Sequence, residues 1–328
     1  MSIFSERRSD SEERLALLQE DLATSIKAID PSIGNPDVCI YATGSLARRE
    51  ANRNSDLDAF FFLTGSSDDC PLGRINDIKV LHAVLKAQVK GGFPDFSNEG
   101  EYLKFLHIED ILKHIGGRED DYHNALTARM LLMLESEFLY NKPLFEKFRS
   151  DVIERYFIDF HQHSAEFRPI FLLNDILRFW RTMCLNYEHN REWKSTDPEK
   201  CAKGRLANLK LRFSRLNICF GFISVLLSDA PSTTPEQVVE IARLTPLDRL
   251  QKLSNLGPAE AELVKILLGE YAWFLDAVSL EKTVVLEWIS SQDNRSEAFA
   301  RSKVFIDSMY KLVFMIAERH SYTRYLII

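Results

Sequence analysis

The stretch Val38-Cys39-Ile40-Tyr41-Ala42-Thr43-Gly44-Ser45-Leu46-Ala47-Arg48-Arg49-Glu50-Ala51-Asn52-Arg53-Asn54-Ser55-Asp56-Leu57-Asp58-Ala59-Phe60-Phe61-Phe62-Leu63 decides the fold. Val38 to Ala42 is a short apolar run that reads as a strand, and Gly44-Ser45 follows it. Leu46 to Ala51 reads as a short helix, and Asp56 to Leu63 as a second, aromatic-rich strand. Side chains two apart on a strand share a face, so Asp56 and Asp58 stand side by side. Two bare carboxylates in that position repel, and one tends to take up a proton. A divalent cation removes the conflict. Magnesium prefers oxygen ligands and is commonly held by one or two carboxylates plus substrate phosphates. The apolar run after Asp58 seats the strand in a core and so fixes the carboxylates. Gly44 lets the backbone approach a ligand closely. A helix starting at Leu46 aims its free N–H groups and positive dipole end at a phosphate, and Ser45 adds a hydroxyl donor.

Outward from this segment, Leu15, Leu18, Leu22 and Ile26 mark one face of an amphipathic helix over 11–29, which Asp30-Pro31 ends. Residues 74–90 read as helix up to Gly91-Gly92-Phe93-Pro94. Glu101 to Leu106 reads as a third strand, and Ile108 to Ile115 as a helix stopped by Gly116-Gly117. Gly117 to Asp121 reads as a polar turn and helix start. From residue 121 onward the periodicity is helical: Leu126, Met130, Leu131 and Leu134 form one stripe. Ile170–Tyr187, Leu206–Leu227, Pro258–Leu275 and Ser302–Glu318 form others. The 328 residues therefore divide into a catalytic domain at 1–150 and an all-helical domain at 151–328. The fold class is α+β: a short mixed sheet flanked by helices, followed by helices.

The segment from Gly44 to Asp58 resembles the nucleotidyltransferase superfamily that includes DNA polymerase beta. The signature there is Gly-Ser or Gly-Gly, roughly ten residues, then Asp-x-Asp at a strand start. In detail it is similar to the amino-terminal domain of the bifunctional uridylyltransferase/uridylyl-removing enzymes, whose segment runs G-G-x-G-R-x-E-x-x-x-x-S-D-x-D. Gly44, Arg48, Glu50, Ser55, Asp56 and Asp58 align to it without a gap. Ser45 stands for the second glycine and Ala47 for the third. Thr127 to Leu132 resembles that family's helix after the catalytic sheet. The removing activity requires adjacent His-Asp metal ligands, and no His-Asp dipeptide occurs in this chain.

The resemblance implies a transfer of a nucleoside monophosphate from a nucleoside triphosphate, ATP among them, to an acceptor hydroxyl. Pyrophosphate leaves, and two magnesium ions, Mg2+, assist. Asp56 and Asp58 bind metal, and Gly44, Ser45, Arg48 and Ser55 bind nucleotide. A third carboxylate is expected on a later strand, to bind metal and accept the acceptor's proton. Glu101 is the choice, with Asp95 and Glu99 as rivals. The nearest family implies a protein acceptor. A small molecule or an RNA 3′ end is the alternative, and a non-catalytic nucleotide-binding regulatory protein is the alternative of another class.

In the helical half, Asn174, Arg178 and Arg181 share a face, as do Lys203, Ala207, Lys210 and Ser214, and Asn208, Arg212 and Arg215. Arg178, Arg181, Lys210 and Arg212 are the candidate triphosphate contacts, because guanidinium forks and ammonium groups both suit phosphate. The competing reading is internal ion pairing, Asp175 with Arg178 for example. His161 and His163 lack companions at ligand spacing and read as surface residues. The net charge of -7 weighs against a long nucleic-acid partner. Five cysteines without zinc spacing fit a reducing, cytoplasmic setting. No apolar run reaches the roughly 20 residues of a membrane span, so no membrane partner is expected.

Overall fold

The computed structural model describes residues 2–29, 37–68, 74–96, 100, 103–122, 124–190, 197–228 and 232–327. These fall into two compact units, Met1–Arg155 and Tyr156–Ile328.

The first unit is built on one sheet between helices. Helix α1 (Ile3–Ile29) buries Leu15, Leu18, Leu22 and Ile26, the four residues of its apolar stripe. It starts well before residue 11, because Ser2 caps it: the Ser5 N–H donates to the Ser2 hydroxyl at 3.3 Å. Strand β1 (Val38–Thr43) is buried throughout. Strand β2 (Asp58–Leu63) pairs antiparallel with it, Thr43 facing Asp58 and Ile40 facing Phe61. A single helical turn, α2 (Gly44–Ala47), follows β1. Helix α3 (Arg74–Lys90) lays Val80, Ala83, Val84 and Ala87 into the same core as α1. Strand β3 (Phe105–His107) runs parallel to β2, with Phe61 facing Phe105.

Helices α4 (Ile108–Lys113), α5 (Arg118–Tyr122) and α6 (Ala125–Leu134) come next. The helical reading beyond residue 121 fails at Glu137–Tyr140, which is strand β4, antiparallel to β1 in a sheet of order β3-β2-β1-β4. Four residues are too few to show a period, and pairing with β1 decides the outcome. Asn141 then turns the chain at φ 60° and caps α7 (Lys142–Glu154), accepting from Leu144 N–H at 3.3 Å.

The stretch Gly117 to Asp121, read as a polar turn and helix start, does begin helix α5 at Arg118, and it also carries a buried charge. Asp120 is fully buried, and its Oδ2 accepts from Arg129 Nη2 at 2.8 Å and from Gly116 N–H at 3.2 Å. Such a pair is costly to break, because either partner alone is a buried charge.

Asp77, in the first turn of α3, is in the opposite condition. Its Oδ1 is buried without a hydrogen-bond partner, as is His107 Nδ1. Desolvation raises its carboxyl above the usual carboxylate range, and the charge of nearby His107 opposes the rise. A raised native value means that the folded state holds the proton more tightly than the unfolded chain, so stability falls as pH rises through that range. Asp77→Asn is therefore expected to raise the melting temperature at neutral pH. The gain should shrink as the pH is lowered toward the ordinary carboxylate range. Thermal scans across pH check both the sign and the trend.

The second unit is helical. After α8 (Phe160–His163) come α9 (Ile170–His189) and a continuous helix over Pro198–Ser228. That long helix is α10 (Pro198–Lys210), two π-helical stretches at Leu211–Arg215 and Asn217–Gly221, and α11 (Phe222–Ser228). Among the described residues it is the one helix long and apolar enough to cross a membrane, yet 72% of its apolar window is buried inside the protein. It is the core helix of this unit, and Phe213 stacks on Phe274 at 4.8 Å within it. Helices α12 (Pro235–Arg243) and α13 (Pro246–Leu253) each begin with a threonine capping box and a proline in the first turn. Helices α14 (Pro258–Ala277), α15 (Lys282–Ser290) and α16 (Gln292–Arg319) complete the unit.

Candidate active site

The register of β1 and β2 places Thr43 opposite Asp58, so Gly44 leaves β1 beside that carboxylate. Gly44 adopts φ 69°, a left-handed conformation that favours glycine. A Cβ added there would lie 2.5 Å from Asp58 Oδ2. The bare Cα of Gly44 is thus what leaves room for the carboxylate. Asp56 lies just ahead of β2 rather than within it. Buried Leu57 separates exposed Asp56 from half-buried Asp58, the alternation of an extended chain.

The loop that carries Asp56 is tied down at several points. Asn54 N–H donates to Asn52 Oδ1 at 2.8 Å, and Asn52 N–H donates to the Ser55 hydroxyl at 3.0 Å. Arg14 Nη1 donates to Asn52 O at 2.6 Å, and its guanidinium stacks 3.7 Å from the Phe93 ring centroid. Ala51 N–H donates to the Ser11 hydroxyl at 3.1 Å. Ser55 therefore closes the turn that presents Asp56.

Arg48 is engaged within the domain as well. Its side chain is 8% exposed, and Nε donates to Glu50 Oε2 at 2.6 Å while Nη1 reaches Glu135 Oε2. A guanidinium enclosed by two carboxylates has its charge directed inward. Glu50 N–H in turn donates to Ser45 O at 2.8 Å, which connects this ion cluster to the Gly44-Ser45 turn. Arg49 sits at φ 62° and bridges to Glu137 on β4 at 2.8 Å. Ser45 is half-exposed, and its hydroxyl has no protein partner among the described residues.

Glu101 and Glu99 lie outside the described residues, and Asp95 is exposed. Among the described residues no cluster of three His, Cys, Asp or Glu side chains is assembled. The Asp56–Asp58 pair still suits magnesium, which needs only one or two carboxylates when phosphates complete its shell. The cradle at Gly44 fits the same role, since it admits Asp58 to the turn suited to phosphate.

The basic candidates belong to the helical unit. Arg178 reaches Asp175 at 3.4 Å, and Asp175 also accepts from the Tyr156 hydroxyl at 2.8 Å. Arg212 donates to Asn208 Oδ1 at 2.8 Å and to the Ser302 hydroxyl at 3.2 Å, over the Phe299 ring. Arg178 is thus ion-paired within its own helix, and Arg212 is hydrogen-bonded to two neutral side chains. Arg181 and Lys210 are exposed. The expected face through Lys203, Ala207, Lys210 and Ser214 is interrupted, because the π-helical turn from Leu211 changes the spacing and Ser214 is buried. His161 is exposed. Cys39, Cys184, Cys201 and Cys219 are free thiols, and Cys70 lies outside the described residues.

A glycine turn and a paired-acid strand on a four-stranded mixed sheet can be compared with known families. Residues 21–165 match the sequence model of the nucleotidyltransferase domain family. This part of the chain is similar to nucleotidyltransferase domains. The match spans the sheet, the glycine turn and both aspartates, and the helical region follows it. No curated protein matches the chain. A nucleotidyltransferase domain uses a nucleoside triphosphate, and its chemistry usually involves a divalent metal.

Gly44→Ala tests the candidate site directly. The left-handed backbone penalises any Cβ by about 1–2 kcal/mol, and the new methyl pushes Asp58 aside. Stability is expected to fall by that amount. Transfer is expected to fall about a hundredfold, as for a misplacement of roughly 1 Å. Thermal melts and turnover on the same preparation separate the two effects.

Proposed function

We propose that the chain transfers a nucleoside monophosphate from a nucleoside triphosphate to a hydroxyl on a protein acceptor. The observation that carries this reading is the Gly44 cradle. It brings a phosphate-suited turn against one member of a carboxylate pair, within a nucleotidyltransferase domain. The protein acceptor rests on the resemblance to the uridylyltransferase segment.

Asp56 and Asp58 are the proposed magnesium ligands. Bound there, the metal would supply neutralising charge to the attacking and leaving oxygens. The Gly44-Ser45 turn holds the β- and γ-phosphates through backbone N–H groups and the Ser45 hydroxyl. The acceptor hydroxyl oxygen forms a new bond to the α-phosphorus. The bond from that phosphorus to the oxygen bridging the β-phosphate breaks, and pyrophosphate departs with the electron pair. The hydroxyl proton passes to a carboxylate, for which Glu101 is proposed. Arg48 and Ser55 are proposed as supports of the turn and of Asp56.

Ser45→Ala tests the phosphate assignment. Loss of one charge-assisted hydrogen bond should weaken nucleotide binding by about 1.5–3 kcal/mol, with metal affinity little changed. Unchanged nucleotide affinity in calorimetric titration would remove Ser45 from the site.

A further inference from the structure

Helix α3 has a second face that the domain's core does not use. Ile75, Ile78, Leu85 and Val89 are 72%, 58%, 43% and 71% exposed. With exposed His82 they recur at alternating steps of three and four residues, the spacing of a helix seam that meets another helix. The opposite face of the same helix already packs on the sheet and α1 through Val80, Ala83, Val84 and Ala87. A run of large apolar side chains at this spacing and exposure is a mark of an interaction surface.

The charge beside the seam selects the occupant. Lys79, Lys86 and Lys90 lie along one border of it, at steps of seven and four residues. Lys90 pairs with Asp21 of α1, whereas Lys79 and Lys86 have no carboxylate partner among the described residues. A second copy of the chain is a poor complement. Antiparallel self-pairing sets the lysine borders against each other, and parallel self-pairing sets them against Leu81 and Gln88. Neither arrangement supplies an acid. We infer that this face of α3 docks an amphipathic helical segment of a partner protein whose apolar stripe is flanked by Asp or Glu. Its apolar residues cover Ile75, Ile78, Leu85 and Val89, and its carboxylates meet Lys79 and Lys86. The surface is independent of the transfer chemistry, since it contains none of the residues proposed for that reaction.

The test uses the full chain and a labelled synthetic helical peptide with leucine at the two seam positions of each heptad and glutamate beside them. A second peptide carries lysine in place of each glutamate. By fluorescence anisotropy the acidic peptide should bind saturably, and the basic one at least about tenfold more weakly. Affinity for the acidic peptide should drop as salt is raised. Lys79→Glu with Lys86→Glu should reverse the preference, and Ile78→Ser with Leu85→Ser should abolish binding while the melting temperature holds. Four results would overturn the inference. Both peptides could bind alike, or neither could bind. Sedimentation could show a dimer that the serine variant dissociates, which assigns the face to a second copy. Finally, phosphatidylserine vesicles could capture the chain where the acidic peptide does not, which assigns it to a membrane surface.

Discussion

Asp58→Asn is expected to lower nucleotide transfer by a factor on the order of a thousand, and Asp56→Asn to do the same, since on the proposed reading each removes a charge that would hold the metal against the phosphates. The two substitutions should differ in their effect on the fold. Asp56 is exposed on a loop held by Arg14, Ser11, Asn52 and Ser55. Its loss leaves those ties intact, so stability should stay within about 0.5 kcal/mol of the parent. Asp58 begins β2 opposite Thr43, against the bare Cα of Gly44. An isosteric amide keeps that space filled, so the backbone ladder survives while the charge is lost. Nucleotide turnover, magnesium dependence and thermal melts on the three proteins check these expectations together. Near-parental turnover in either variant at saturating magnesium would remove the pair from the chemistry.

Arg48→Ala carries the largest expected cost in stability, about 3–5 kcal/mol, as for breaking a buried ion pair by deleting one partner. The side chains of Glu50 and Glu135 are 5% and 0% exposed, so deletion takes a guanidinium partner from two carboxylates held away from water. Set against a typical total of about 5–15 kcal/mol, that loss is a substantial fraction. Arg48→Lys should recover only part of it, because an ammonium lacks the planar fork that serves two carboxylates at once. Denaturant titration measures both. A different outcome distinguishes the two roles of Arg48. Were its guanidinium a phosphate ligand, Arg48→Ala would lose nucleotide affinity and keep its stability.

The contrast between these residues shows what the sequence made legible. Asp56, Asp58 and Gly44 are adjacent in the chain, and their roles follow from local rules: strand alternation, glycine's freedom at positive φ, and an apolar run that anchors the strand. The helical face of α1 was legible for the same reason, since Leu15, Leu18, Leu22 and Ile26 state their period within one element. Arg48 was not, because its partner Glu135 lies 87 residues away in the chain and nothing near either residue announces the pair. Asp120 pairs with Arg129 only nine residues on, yet nothing in a run of acids read as a polar turn and helix start marks which one is buried. Ser55 stands beside Asp56 and its hydroxyl is also engaged by Asn52 in the turn itself, a tie that the sequence did not announce. Strand β4 was hidden by its brevity, and the π-helical turns after Lys210 by the assumption of a constant helical period. Local chemistry was readable, whereas contacts between distant segments had to be seen.

The most direct test of the central claim follows the α-phosphate. The full chain is incubated with magnesium and each nucleoside triphosphate, labelled at that phosphate, together with candidate protein acceptors. Nucleotidyl transfer at Asp56 and Asp58 predicts that label enters protein with stoichiometric release of pyrophosphate. It also predicts that neither occurs with Asp58→Asn or after chelation of the metal. Release of inorganic phosphate in place of pyrophosphate, or labelling that persists in Asp58→Asn, would contradict it.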